Sequence, residues 1–387
     1  MKILFIHTYY QQPSGEDTVF HQEMALLSQT ENTEALTFHN KKGWIGALQF
    51  MLLVWNIFAA KKIRSKIRQY QPDIIHIHNW HYAIGPIVFR VAKKAGIPLV
   101  HTLHNYRLLC PSATLLYNKQ LFTDSIKATF PWKAIFKKVY RNSFFKTFWL
   151  AFSVWFHKKI GTWKMIDKYI VLTESAKNLF VHSSLGIPGQ KIIVKPNFVK
   201  RNGQISGKRK NHFMFIGRLS EEKGIHVLLE AFTNSNYELH IAGSGPLKEK
   251  VLEVCTTSSN IKYIGNLNKD DVVIAMNSCT ALIFPSIWYE PFGLVIIEAF
   301  SSGCPLLASN IGSPAELVQH GINGFHFEAG NATALNKQLH HWQNLSEPEK
   351  EKIRYNSFST YKKFYTPEKN KEQLIEIYKS LNSNHHF

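Results

Sequence analysis

The chain has 387 residues, enough for two domains of ordinary size, and 45% of them are hydrophobic, enough for each domain to bury a core. Its 46 Lys and Arg against 27 Asp and Glu leave a formal charge of +19, which suits nucleic acid, an anionic membrane surface or an acidic substrate. No zinc-finger or RNP pattern occurs, which argues against nucleic acid. The four cysteines, Cys110, Cys255, Cys279 and Cys304, lack CxxC spacing, which argues against a zinc site or a disulfide framework and for a reducing compartment.

The opening MKILFIH has one lysine and no small-residue cleavage site, so it reads as a buried strand over residues 2–7 and not as a signal peptide. A turn with Pro13, Ser14 and Gly15 leads to a helix over about 17–29. Further strands follow at 73–79 (DIIHIHN), 98–104 (PLVHTLH), 168–173 (KYIVLT) and 191–197 (KIIVKPN). Gly-x-Pro breaks at Gly96 and Gly186 close the preceding helices. Strand and helix signals alternate, as a doubly wound parallel sheet requires.

Two stretches of this half stand apart. Residues 44–60 run 17 positions without a charge, then continue into KKIRSKIRQY. They are short for a membrane span and carry Gln49 and Asn56, so a helix packed on the first domain or dipping into an interface is expected. Residues 125–166 hold nine Lys or Arg, no Asp or Glu, and twelve aromatics. Basic and aromatic side chains interleaved in this way suit the headgroup layer of an anionic bilayer. Trp149, Trp155, Phe156 and Trp163 are the candidate anchors, and Lys158 and Lys159 the candidate headgroup contacts. The alternative is a helical core with a solvated lysine face.

The polar, glycine-bearing RNGQISGKRKN falls at the boundary, around 199–212. It divides the chain into a first domain over 1–199 and a second over 200–366. The second half alternates again: strands at 213–217, 237–242, 261–264, 280–284 and 305–308, and helices at 224–234, 246–256, 269–277, 293–302 and 313–320. A hairpin-like GINGFHF and helical patterns to the end complete it.

The chemistry concentrates in this half. FMFIG (213–217) is followed by Arg218 and by Lys223-Gly224. IAGSGP spans 241–246, and YEPFGLVIIEAF spans 289–300, with Glu290 and Glu298 eight residues apart. Two cations can face a diphosphate, and two carboxylates can accept from ribose and sugar hydroxyls. Ligands of open parallel sheets bind at the carboxyl ends of strands, where Arg218 and Lys223 fall. Pro291 is expected in the first turn of the helix that carries Glu298, whose free N–H groups suit phosphate or sugar oxygens.

The order GRLxxEKG, GxGP, then ExFGLxxxEA with E-x7-E resembles the retaining glycosyltransferases of family 4 with the GT-B fold. The resemblance covers nearly the whole chain. It implies an α/β architecture of two Rossmann-like doubly wound parallel-sheet domains facing across a cleft. The last segment, 367–387, would cross back to the first domain. It also implies a nucleoside-diphosphate sugar donor, a lipid-linked or polysaccharide acceptor, retention of configuration, and a place on the cytoplasmic side of a bacterial membrane in cell-surface glycan synthesis. No cofactor or metal is expected. The family pattern gives Arg218 and Lys223 to the diphosphate, Glu298 to the ribose and Glu290 to the donor sugar. Gly217, Gly243, Gly245, Phe292, Gly293 and Leu294 fall along the donor. SGEDTVF resembles the GGEDxVF opening of one branch, which brings Ser14 and Gly15 toward the donor phosphates. His104 matches a histidine beside the donor sugar, and His78 and Asn79, ending a strand, are acceptor-side candidates. His76 points with His78, so one of the two is expected to be structural. Relatives sharing HNYRLLCP often carry CEDC shortly after; FTDS stands there in this chain, and only Cys110 remains. The competing readings are a sugar phosphorylase or epimerase on the same fold and a non-enzymatic basic binding module.

Overall fold

The computed structural model describes residues 1–12, 14–201 and 209–382. Pro13 of the first turn, most of the expected linker and the last five residues of the expected final segment lie outside the described residues.

Two compact units divide the chain. The first comprises residues 1–115, 122–196 and those from Asn370 onward; the second comprises 116–121 and 197–369. In the first unit, β1 (Lys2–Tyr9), β2 (Asn32–His39), β3 (Ile74–Ile77), β4 (Leu99–Thr102), β7 (Lys168–Val171) and β8 (Ile192–Val194) form one parallel sheet in the order 2-1-3-4-7-8. Ile3, Leu4, Phe5 and Ile6 are all fully buried, because a sheet covered on both faces leaves neither side of a strand in water. β5 (Leu116–Tyr117) and β6 (Gln120–Leu121) form a small antiparallel hairpin that belongs with the second unit.

β2 is a strand that the sequence pattern does not announce. NTEALTFH buries only Leu36 and lies at the sheet edge, so it lacks the apolar run that marks its neighbours.

The second unit repeats the plan. β9 (His212–Ile216), β10 (Glu238–Ala242), β11 (Ile261–Tyr263), β12 (Ala281–Phe284), β13 (Leu306–Ser309) and β14 (Gly324–Phe327) form a parallel sheet in the order 11-10-9-12-13-14. Phe213, Leu228, Phe232, Leu307, Leu335 and Trp342 fill its core. GINGFHF is not a hairpin. Its GFHF half pairs in parallel with β13, with Ala308 opposite His326, after a crossover through the helix Ser313–Leu317. Cys279 and Cys304, 25 residues apart in sequence, bring their sulfurs to 3.4 Å in this core as free thiols.

The last helix, Pro367–Asn382, contributes Leu374, Ile377, Tyr378 and Leu381 to the core of the first unit, beside Ile3, Phe5 and Phe20. No single helix among the described residues is long and apolar enough to cross a membrane. The pair Gly43–Val54 and Ile57–Tyr70 passes on composition only when taken together, across a 77° bend.

In each sheet the order reverses between two central strands, β1 and β3 in the first and β9 and β12 in the second. Such a reversal opens a crevice at the carboxyl ends of the strands. The candidate residues sit at those ends.

Candidate active site

In the second unit, β9 ends at Ile216, and Gly217 and Arg218 follow at once. Arg218 is exposed, and its guanidinium has no hydrogen-bond or ion-pair partner among the described residues. The neighbouring acids are engaged elsewhere: Glu221 with Lys119 and His226, Glu222 with the Ser220 hydroxyl. Lys223 does not pair with them either. Its ammonium hydrogen-bonds the Glu290 carboxylate and lies 5.6 Å from the Phe284 ring centre and 5.8 Å from that of Trp288. Trp288 Nε1 also donates to Glu290 Oε2 at 3.0 Å, and Ser286 Oγ stands 3.5 Å away. Glu290 is 7% exposed, so its charge is held by three donors and not by water. The two residues assigned separately to diphosphate and sugar are therefore one ion pair.

Backbone clearance explains three of the glycines. A Cβ on Gly224 (φ +71°) would stand 1.8 Å from Pro285 O, so only glycine lets the Lys223 loop meet the loop after β12. A Cβ on Gly243 (φ +134°) would stand 1.9 Å from Gly217 O, and Gly245 abuts the Leu219 backbone. The GSGP turn is thus packed directly on the turn that carries Arg218.

The helix with Glu298 begins at Leu294, with Gly293 (φ +80°) as its cap. Pro291 precedes it and is not in its first turn, because the chain must first pass through the left-handed conformation at Gly293. Phe292 is buried, and its carbonyl accepts from Ser313 Oγ at 2.6 Å. Glu298 lies one turn along. Desolvation raises its carboxyl above the ordinary range, against the pull of the Lys269 ammonium. No described residue donates a hydrogen bond to its carboxylate, so it is a half-buried acceptor without a protein donor.

In the first unit, Ser14 caps the helix Gly15–Leu27. Ser14 N and Oγ both donate to Asp17 Oδ2, and His7 Nε2 lies 2.7 Å from Asp17 Oδ1. Burial raises the Asp17 pKa, but the His7 and Ser14 hydrogen bonds outweigh it and leave the carboxyl depressed.

β3 delivers His76 and His78 to one face of the sheet, their rings 4.3 Å apart. His76 is structural: its nitrogens meet Tyr378 Oη and Thr102 Oγ1, both at 2.7 Å. His78 Nδ1 lies 3.0 Å from His104 Nε2, and His78 Nε2 lies 3.5 Å from Glu23 Oε2. Glu23 Oε1 in turn accepts from Lys195 Nζ at 2.6 Å, and both of these side chains are fully buried. At 3.5 Å His78 Nε2 and Glu23 Oε2 are in ion-pair range without a hydrogen bond, and neither atom has a hydrogen-bond partner among the described residues. In the His78–His104 contact one ring nitrogen donates and the other accepts. Desolvation first, then neighbouring positive groups, hold both histidines well below the usual imidazole range, so both are neutral. Glu23, His76 and His78 are also the described residues whose ligand atoms could gather on a metal, lying within 4.8 Å of one another. Hydrogen bonds occupy both His76 nitrogens, however, and the Lys195 ammonium neutralises Glu23.

Asn79 contrasts with His78. Its amide donates to Thr8 O and accepts from His81 N, so it organises the loop that follows β3. His78, His104, Asn105, His81 and Arg107 line one pocket. Both His81 nitrogens, with Arg107 Nε and Nη1, are buried there without hydrogen-bond partners. Beside it, Asn105 Nδ2 donates to Glu16 Oε1 at 2.6 Å, and burial pushes the Glu16 carboxyl up to about 7. Sequence reasoning missed Glu16, Glu23, His81, Arg107 and Lys195. HNYRLLCP contained Arg107 and SGEDTVF contained Glu16, but nothing local marked the others.

Residues 198–360 match the family described as Glycosyl transferases group 1, and residues 29–202 match Glycosyltransferase Family 4. An uncharacterized 42.6 kDa protein in the cps region of Klebsiella pneumoniae is 26% identical over 70% of this chain and 66% of its own length. The O-antigen chain mannosyltransferase C of Escherichia coli is 27% identical over 44% of this chain and 47% of its own. The structure of Anabaena HepE with UDP and glucose superposes with a TM-score of 0.68 at 19% identity, covering 98% of this chain and 100% of that one.

Proposed function

The chain belongs to the family 4 glycosyltransferases with the GT-B fold, and we propose that it moves a sugar from a nucleoside diphosphate to a lipid-linked or polysaccharide acceptor, with retention of configuration. One observation carries this reading. At the strand-order reversal of the second sheet, an unpartnered guanidinium, a Lys–Glu pair and a half-buried carboxylate lacking a protein donor occur together. Arg218 and Lys223 are cations for the diphosphate, whose negative charge grows as the sugar leaves. Glu298 takes the ribose hydroxyls. Glu290, fixed by Lys223 and Trp288, accepts from the sugar. In the first unit, the neutral His104 beside His78 suits a sugar hydroxyl and needs no charge change. The named relatives support a cell-surface glycan as product: one lies in a cps region and another acts on O-antigen chains.

A thermal-shift screen against UDP, GDP, ADP and their sugars tests the donor. Ligand at 100 times its dissociation constant should add about 2.7 kcal/mol to stability. NMR of the product's anomeric proton tests retention. Absence of any shift, together with loss of no sugar from any donor, would refute the reading.

A further inference from the structure

Two stretches distant in sequence meet on the surface of the first unit. The helix Gly43–Met51 carries no charge yet buries only Gly46 and Phe50. The helix Phe144–Lys159 packs beside it. Trp149 Nε1 donates to Phe50 O at 2.8 Å, His157 Nε2 lies 2.8 Å from Val54 O, and the Trp55 ring stacks on His157. What remains outward is apolar. Eleven of the 17 exposed large hydrophobic side chains among the described residues fall within 44–58 and 132–145, led by Trp44 (76% exposed), Phe136 (69%) and Phe58 (68%). Single exposed hydrophobics are ordinary, but a concentration of this kind marks a docking surface.

The flanks decide the partner. Residues 35–72 hold seven Lys or Arg and residues 125–166 hold nine, with no Asp or Glu in either stretch. Lys66 and Lys133 reach Glu34 and Asp124, which lie just outside. A symmetric contact with a second copy would set sixteen cations against sixteen, so the charge opposes self-association. The face also lies on its partner and does not cross it. The helix Ile57–Tyr70 buries Ala59, Ala60, Ile63 and Ile67 against its own unit and turns Lys61, Lys62 and Arg64 to solvent.

We propose that this composite face seats on an anionic bilayer, with Trp44, Phe58, Phe136 and Phe145 in the headgroup layer and the flanking cations on lipid phosphates. Such seating is independent of glycosyl transfer. The anchors differ from those expected from sequence. Trp163 is 1% exposed and donates inward to Val154 O. Trp149, Trp155 and Phe156 are half-buried and form the floor beneath the exposed rings.

The test is flotation of the full chain with phosphatidylcholine vesicles, with and without phosphatidylglycerol. The wild type floats with the anionic vesicles at low salt. Trp44→Ala/Phe58→Ala/Phe136→Ala/Phe145→Ala loses binding by about tenfold or more at every salt concentration. Lys61→Ala/Lys62→Ala/Lys137→Ala/Lys138→Ala loses the part that fades above a few hundred millimolar salt. Ile274→Ala/Ile322→Ala, exposed in the second unit, floats like the wild type, and unchanged melting temperatures establish that each variant is folded. A wild type that fails to float with anionic vesicles, or an aromatic variant that floats equally well, overturns the proposal. So does light scattering showing a wild-type dimer that the aromatic variant converts to monomer without any vesicle binding.

Discussion

Replacing Lys195 by Met removes the ammonium that neutralises Glu23 in the core of the first unit. Both side chains are 0% exposed and meet at 2.6 Å, so solvent screening gives no relief. Breaking a buried pair from one side costs about 3–5 kcal/mol, because the remaining charge is left in a low-dielectric interior. That is a large fraction of the roughly 5–15 kcal/mol that holds a domain folded. Glu23→Gln/Lys195→Met removes both charges and leaves a neutral amide where the carboxylate stood. The double variant should therefore recover most of the loss, with a coupling of about 2 kcal/mol or more in the cycle. Urea unfolding at pH 7, followed by circular dichroism and fluorescence, measures Glu23→Gln, Lys195→Met and the double variant. A Lys195→Met variant within about 1 kcal/mol of the wild type would refute the buried-charge account. A double variant as unstable as the sum of its parts would refute it equally.

Glu298→Ala should weaken nucleoside-diphosphate binding by about 1.5–3 kcal/mol in calorimetry, the value of hydrogen bonds to a charged group; unchanged affinity would remove the ribose assignment. Glu16 has a folded pKa raised to about 7, so its contribution is fully present below the unfolded value near 4.3 and is lost as pH rises through 7. Glu16→Gln should accordingly be more stable relative to wild type at pH 8 than at pH 5, measured by urea midpoints, and a pH-independent difference would contradict the burial argument. Gly224→Ala must move Pro285 O or unwind the Lys223 loop, and should lower turnover about tenfold or more through misplacement of Lys223; a wild-type rate would show that the loop is not held by that contact.

The motif-bearing half of the site is legible in the amino-acid sequence by itself. Arg218, Gly243 and Glu290 follow strand or turn signals within a few residues, and local chemistry suffices to place them at strand ends, with Glu298 on the helix that follows. Apolar runs such as LFI and ALIF mark buried parallel strands for the same reason: periodicity and turn residues act between near neighbours. That local signal is weak at the half-exposed edge strand β2, which the pattern does not announce, and at Gly324–Phe327, where it suggests a hairpin instead of a parallel strand. Tertiary structure decides the rest. Glu23 and Lys195 stand 172 residues apart, and no pattern in either neighbourhood announces a buried ion pair. Lys223 and Glu290 each have a plausible separate task, and only the packing of Gly224 against Pro285 joins them. Trp163 and Trp44 are equally aromatic in sequence; one is buried and one faces out because the fold places different elements over them. Chain connectivity fixes which segments become strands and helices, but the partners of a buried charge or an exposed ring are chosen by contacts between segments.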